Sequence, residues 1–155
     1  MNLMYFTQLI NNTTLIVVIL SWALSCLIKG ILVCVRDGKI DWTRFTGSGG
    51  MPSSHSAVVT SLAASVAIHD GLGSTTFVIC CALAFVVMYD ASGVRRAAGK
   101  QALVINMIID ALEESSPVKK EEKLKELLGH KPVEVFAGAV LGIIIALTYK
   151  FLFGM

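Results

Sequence analysis

The sequence predicts an all-α, integral-membrane helical bundle of about four spans, with one or two further cytoplasmic or interfacial helices. Three observations carry this expectation. Hydrophobic residues make up 55% of the 155-residue chain and charged ones 15%, with a mean hydropathy of +0.73; soluble domains are less apolar and more charged. The apolar residues collect in four stretches separated by polar links. Twelve of the thirteen lysines and arginines fall on one side of a four-span arrangement. The length suits one domain, residues 1–155.

The first stretch runs roughly from Leu9 to Val35 and includes the run Thr13-Thr14-Leu15-Ile16-Val17-Val18-Ile19-Leu20. It exceeds the ~20 residues that a crossing needs. No basic region precedes it and no small-residue cleavage site follows, so it reads as an uncleaved helix rather than a signal peptide. Residues 37–54 form a polar loop with Gly47, Gly49 and Gly50, and Pro52 suits the first turn of the next helix, where no N–H is needed. The second stretch, roughly Ser56 to Ile68, is short for a crossing and rich in Ala, Ser and Val. It is expected to pack inside the bundle rather than against lipid.

The third stretch spans roughly Thr75 to Ala91. After it, Ala102 to Ile109 is too short and too polar at its ends for a span, and is expected as an interfacial or bundle-packed helix. Ser115-Ser116-Pro117 breaks the chain. Lys119 to Leu128 then reads as an amphipathic helix with Leu124, Leu127 and Leu128 on one stripe. Together, residues 97–128 make a cytoplasmic helical insertion. The fourth stretch is roughly Val133 to Phe153. Cys26, Cys34, Cys80 and Cys81 lie in apolar helices without metal-ligand spacing and read as buried free thiols.

Charge sets the expected orientation. Lys29, Arg36, Lys39 and Arg44 lie at and beyond the inner end of the first stretch, and eight more basic residues lie between Gly93 and Pro132. The link from His69 to Ser74 has none. The positive-inside rule makes the basic side cytoplasmic and puts both termini outside, and with no transit peptide apparent the expected membrane is a bacterial plasma membrane. A net charge of +2 gives no case for nucleic acid. The expected partners are the bilayer and a lipid phosphate; a homo-oligomer is left open.

The chemistry gathers on that basic side. Gly49-Gly50-Met51-Pro52-Ser53-Ser54-His55-Ser56 and Leu128-Gly129-His130-Lys131-Pro132-Val133-Glu134 each place a histidine where a glycine-bearing turn meets an apolar helix. A helix start offers unpaired N–H groups and the positive end of the macrodipole, which suit a phosphate. Two such histidines fit a nucleophile and a proton donor sharing one phosphate. The apolar chain around them makes that phosphate a lipid's. Ser53 and Ser54 offer hydroxyls and amides, although serine here also fits a plain N-cap. His130 and Glu134 are four residues apart, so on a helix they share a face and the carboxylate can fix the imidazole tautomer. Lys29, in an apolar helix, is either snorkelling or functional. Arg36, Arg44, Arg95 and Arg96 supply guanidinium forks for phosphate oxygens. Asp90, near a span end, is expected to pair with Arg95 or Arg96. His69 reads as an interface residue at the opposite face.

Together these residues resemble the type 2 phosphatidic acid phosphatase superfamily, which includes lipid phosphatases and vanadium haloperoxidases. Its motifs are Lys-x6-Arg-Pro, Pro-Ser-Gly-His and Ser-Arg-x5-His-x3-Asp. The chain is more similar still to a divergent bacterial and plant branch, which shares Gly-Gly-Met-Pro-Ser-Ser-His-Ser (49–56), Asp-Ala-x-Gly-Val-Arg-Arg (90–96) and Leu-Gly-His-x-Pro-x-Glu-Val (128–135). The resemblance implies that His130 is a nucleophile forming a phosphohistidine, that Glu134 orients it, and that His55 protonates the leaving group. It implies phosphate binding by Lys29, Ser53, the backbone at Ser54, and Arg95. No metal or other cofactor enters such a scheme, because cations and helix starts stabilise the charge. The implied activity is a metal-independent lipid phosphatase of phospholipid metabolism, acting on a lipid or isoprenoid phosphate monoester or diphosphate at the cytoplasmic face.

The chain departs from the wider pattern at four points. Asp37 follows Arg36 where the motif has proline, so Arg36 and Arg44 both remain candidates for the first-motif arginine. Ser54 replaces glycine, Glu134 replaces aspartate, and 34 residues separate Arg95 from His130. These departures keep two other readings open: a non-catalytic protein that binds a phosphorylated lipid, and a structural membrane subunit with a basic face.

Overall fold

The computed structural model describes residues 3–38, 50–115 and 130–154. Among them are six α-helices and no strand: α1 (Leu3–Ile10), α2 (Thr13–Asp37), α3 (Ser54–Asp70), α4 (Thr75–Ser92), α5 (Val94–Ser115) and α6 (Pro132–Phe153). The all-α class expected from hydropathy holds.

Local signals set the helix limits. The stretch expected to begin at Leu9 is broken instead at Asn11–Asn12. Asn12 Oδ1 accepts the Leu15 N–H at 3.0 Å and starts α2 afresh, leaving Leu9 and Ile10 in the separate α1. This cap satisfies one of the orphan donors of the new helix, which an unbroken helix would not need. At its other end α2 stops at Gly38, whose φ of 64° is the left-handed conformation that glycine adopts without strain. Ser53 and Ser74 cap α3 and α4 in the same way as Asn12 caps α2. The predicted short helix at 102–109 lies inside the 22-residue α5, which among the described residues rests on α4 alone. The amphipathic stretch 119–128 lies outside the described residues.

Three segments are long and apolar enough to cross a membrane: Thr13–Arg36, the stretch Thr75–Ala111 that contains α4, and Pro132–Phe153. The 17-residue α3 does not qualify on its own. It is instead the hub, packed against α2, α4 and α6, as its small-residue composition predicts. Thr13 Oγ1 and His69 Nε2 meet at 2.9 Å at one end of the α2–α3 pair, and Lys29 meets Gly50 at the other. So α3 runs antiparallel to α2 along most of its length.

The burial pattern is the reverse of a soluble protein's. On α2 the residues at four-residue spacing, Val17, Ser21, Ser25 and Lys29, are all but fully buried, while Ile19, Leu24, Leu27 and Ile31 face outward. On α3 the buried positions are mostly serine, threonine, alanine and valine. Hydrocarbon solvent gives large apolar side chains no reason to turn inward, so helix contacts form through small residues that let backbones approach.

The closest approach is between α3 and α6. Gly138 and Gly142, four residues apart on α6, sit against the Ser53 and Ala57 carbonyl oxygens; a Cβ on either would overlap them. Thr60 Oγ1, which bonds Ser56 O at 2.7 Å, lies 3.1 Å from Ala139 O across the same seam. Gly142→Val is therefore expected to cost about 2–3 kcal/mol, because the obstacle is backbone that no rotamer change removes. A thermal midpoint in detergent unchanged from the parent would contradict this packing.

Candidate active site

Four helix ends converge on the end of the bundle opposite the Thr13–His69 contact. They are the last turns of α2, the start of α3, the end of α4 and the start of α6. Two backbone bonds tie them together: the Ser53 N–H donates to Glu134 O and the His130 N–H donates to Ala91 O, each at 3.0 Å. Gly138 completes the join by letting α6 lie directly on Ser53 and Ser56.

This join brings His55 and His130 together. Their ring centroids are 5.8 Å apart, with the planes at 77°. His55 is the second residue of α3, and His130 stands immediately before Lys131, the N-cap of α6. Both rings thus sit at the positive ends of helices, as the two motifs predict. His130 is 1% exposed and His55 is half-buried. An imidazole pair of this kind, shielded from bulk water and next to first-turn amides, suits transfer of an anionic phosphoryl group.

Lys29 reaches the same place from α2. The residue is 2% exposed, so it does not snorkel to the surface. Its methylenes lie along Gly50: a Cβ at that glycine would stand 3.4 Å from Lys29 Cγ and 3.5 Å from Cδ. Gly50 also has a φ of 85°, which a side chain would strain. The Gly-Gly-Met-Pro-Ser-Ser-His motif thus walls the lysine on one side and presents His55 on the other.

Two serine positions take definite roles. Ser53 is fully buried and is the N-cap of α3, its Oγ accepting the Ser56 N–H at 3.4 Å; its own O–H remains available to donate. Ser54 is half-buried in the first turn. Ser56 was not among the sequence candidates. Its Oγ is buried at the α3–α6 contact and has no hydrogen-bond partner among the described residues. Gly138, also missed, had a signal: glycines at i and i+4 in an apolar helix mark close helix contact.

Glu134 departs from the expected geometry. The four-residue spacing puts it on one face with His130 only if both are helical, and α6 begins at Pro132. His130 lies before the helix, and Glu134 Oε2 instead accepts the Lys131 N–H at 3.0 Å, in a capping box. The shared-face argument fails because proline at the first helical position fixes the start two residues beyond the histidine.

The remaining candidates divide. Arg36 is exposed near the end of α2, two turns beyond Lys29. Arg44 lies outside the described residues. Arg95 and Arg96 belong to the first turn of α5, a few residues after the Ala91 carbonyl that holds His130; their side chains lie outside what is described. Asp90 is half-buried in the last turns of α4. No group of side chains with metal-ligand character occurs among the described residues.

A sequence profile described as "Divergent PAP2 family" matches residues 10–145. The chain is 40% identical over 156 residues to an uncharacterized membrane protein, YuiD, of Bacillus subtilis (strain 168), with 94% of this chain and 99% of the relative covered. No solved structure matches the chain.

Proposed function

The chain belongs to the divergent PAP2 family, and from that membership we propose that it is a membrane phosphatase that releases phosphate from a lipid or isoprenoid phosphate. The observation that carries this reading is the 5.8 Å convergence of His55 and His130 beside a buried lysine. A packing role would not place three ionisable groups of this kind at the junction of four helix ends, where each costs desolvation.

In this mechanism a neutral His130 nitrogen attacks phosphorus in line with the lipid oxygen. The N–P bond forms as the P–O bond breaks, and His55 gives its proton to the departing oxygen. Water then donates a proton back to His55 and attacks phosphorus, and the N–P bond breaks to release inorganic phosphate. Lys29 and the α3 amides offset charge on the phosphoryl oxygens, and Ser53 can donate its O–H to one of them. Arg95 serves the same purpose by family pattern. By the positive-inside rule, the basic residues at this end support a site on the cytoplasmic face of a bacterial plasma membrane.

The test is phosphate release by the detergent-purified protein from phosphatidate, phosphatidylglycerophosphate and polyprenyl mono- and diphosphates, with and without chelator. Release that survives chelation supports the reading. Vanadate binding with no release from any of them selects a phosphate-lipid binding protein instead. The pH–rate profile is expected to be bell-shaped. Activity falls on the acid side as His130 takes up a proton and on the alkaline side as His55 loses one. A profile flat across the range in which histidines titrate would remove both assignments.

A further inference from the structure

We propose that the end of the bundle away from the histidines carries a second binding site, for an amphiphile with an uncharged, hydroxyl-rich head such as a sugar. A cavity of about 730 Å³ lies there, lined by the junction of α1 with α2 and by the last turns of α3; ligand pockets run ~300–1,000 Å³. The helix break at Asn11–Asn12 makes it. Asn11 N–H donates to Thr7 O at 3.0 Å and Asn12 N–H to Leu9 O at 3.2 Å, closing α1 before the Asn12 cap opens α2. Leu9 and Asn11 thereby line the same cavity as His69 and Asp70. The 2.9 Å contact of Thr13 with His69 ties α2 to α3 at this level.

The lining changes character with depth. Its polar members, residues 11–14 and 69–70, sit where α2 begins and α3 ends. Leu15, Val18, Leu62 and Val66 also line it and lie one or more turns further into the same two helices. The cavity therefore has a polar rim and an apolar depth. In a bundle with membrane-spanning helices that is the order of a head group followed by hydrocarbon.

Charge and hydrogen-bonding capacity select the head. No lysine or arginine lines the cavity, and none occurs in residues 1–28 or 45–94, which include α1, the first half of α2 and all of α3. Lys150, at the end of α6, is not among the lining residues. Asp70 adds a negative charge, which disfavours a phosphate here. Nor is the start of α2 a bare anion site, because Asn12 Oδ1 already takes the Leu15 N–H. An ammonium head offers donors only and would leave the rim's own donors unused. A hydroxyl both donates and accepts, and the rim provides for both. Asn12 keeps its amide NH₂ to donate, Asn11 can do either, His69 has Nδ1 beyond its contact with Thr13, and the Asp70 carboxylate accepts. A site of such groups favours a ligand whose hydroxyls meet them over one that lacks them.

A decyl glucoside with a photoactivatable diazirine at the head end of its chain tests this on the full chain in phosphatidylcholine nanodiscs, with labelled residues mapped by mass spectrometry. Labelling is expected within residues 11–18 and 62–70. Unlabelled decyl glucoside is expected to compete it away, and decyl phosphate or decylammonium at the same concentration is not. Asp70 and Asn11 are exposed, so Asp70→Ala and Asn11→Ala are expected to keep the thermal midpoint while lowering labelling about tenfold and about threefold. If either variant lowers the midpoint, Asp70→Asn, which keeps the shape, decides. Labelling spread over outward residues such as Leu27 and Ile144 means partition into the bilayer and overturns the site. Equal competition by decyl phosphate, or labelling indifferent to Asp70 and Asn11, overturns the hydroxyl-rich head. Full competition by free glucose makes the ligand a soluble sugar and overturns the amphiphile. None of these readouts involves phosphate release, so the site stands or falls separately from the histidine mechanism.

Discussion

Replacing His130 with alanine is expected to lower phosphate release by about 10⁴-fold or more, the scale on which removal of a catalytic nucleophile acts. The mechanism forms its only covalent intermediate on this ring, and water attacking directly would have to do so without the two-step path. The fold is expected to tolerate the change. One contact that holds the segment is the His130 backbone N–H on Ala91 O, which alanine keeps. Emptying a ring's volume at a site 1% exposed costs stability, so His130→Gln, which fills more of it, is the paired variant. Both are expected to remain in the membrane, to elute as the parent does in detergent and to form no acid-labile phosphoenzyme. Turnover equal to the parent in either variant ends the histidine mechanism. A lipid-binding protein without activity predicts something different: vanadate affinity that responds to His130, and no turnover to lose.

The part of this molecule legible in its sequence is what hydropathy and helix-end chemistry govern. The apolar stretches became helices because backbone groups in hydrocarbon must bond within their own segment. The two histidine motifs converge because each is a helix start and the Ser53–Glu134 and His130–Ala91 backbone bonds hold those ends together. The misreadings share a cause. Hydropathy does not register a cap, so the break at Asn12 and the start of α6 after His130 were invisible to it, and with the latter went the expected His130–Glu134 face. The α3–α6 seam was also unread, although its signal was present. In an apolar helix a glycine pair reads equally as composition, and only the Ser53 and Ala57 carbonyls opposite make it a contact. Lys29 was the ambiguous case: sequence allows a snorkelling lysine and a buried one at the same position, and the neighbouring helix decides between them.

That decision sets the second large effect. Lys29→Met is expected to lower phosphate release by about 10²–10³-fold, the range seen when one donor to a developing charge is removed, while the thermal midpoint holds or rises. The two signs follow from one fact. A lysine 2% exposed inside a bundle gives up its hydration, and methionine of similar shape has none to give up, so the exchange removes that cost from the folded protein. Glu134 keeps its bond to the Lys131 N–H and is half-buried, so its charge is not stranded. An ammonium beside a helix start also suits a bound phosphate, which is the role the proposed mechanism gives Lys29. Lys29→Arg tests the shape of the site as well as its charge. The guanidinium is planar and longer, and Gly50 stands close along the side chain, so activity is expected to return only in part. A Lys29→Met variant that keeps full activity, or that loses activity only in step with its thermal midpoint, would show the lysine to be a structural anchor. Weaker vanadate binding at an unchanged midpoint would tie its charge to the phosphoryl group itself.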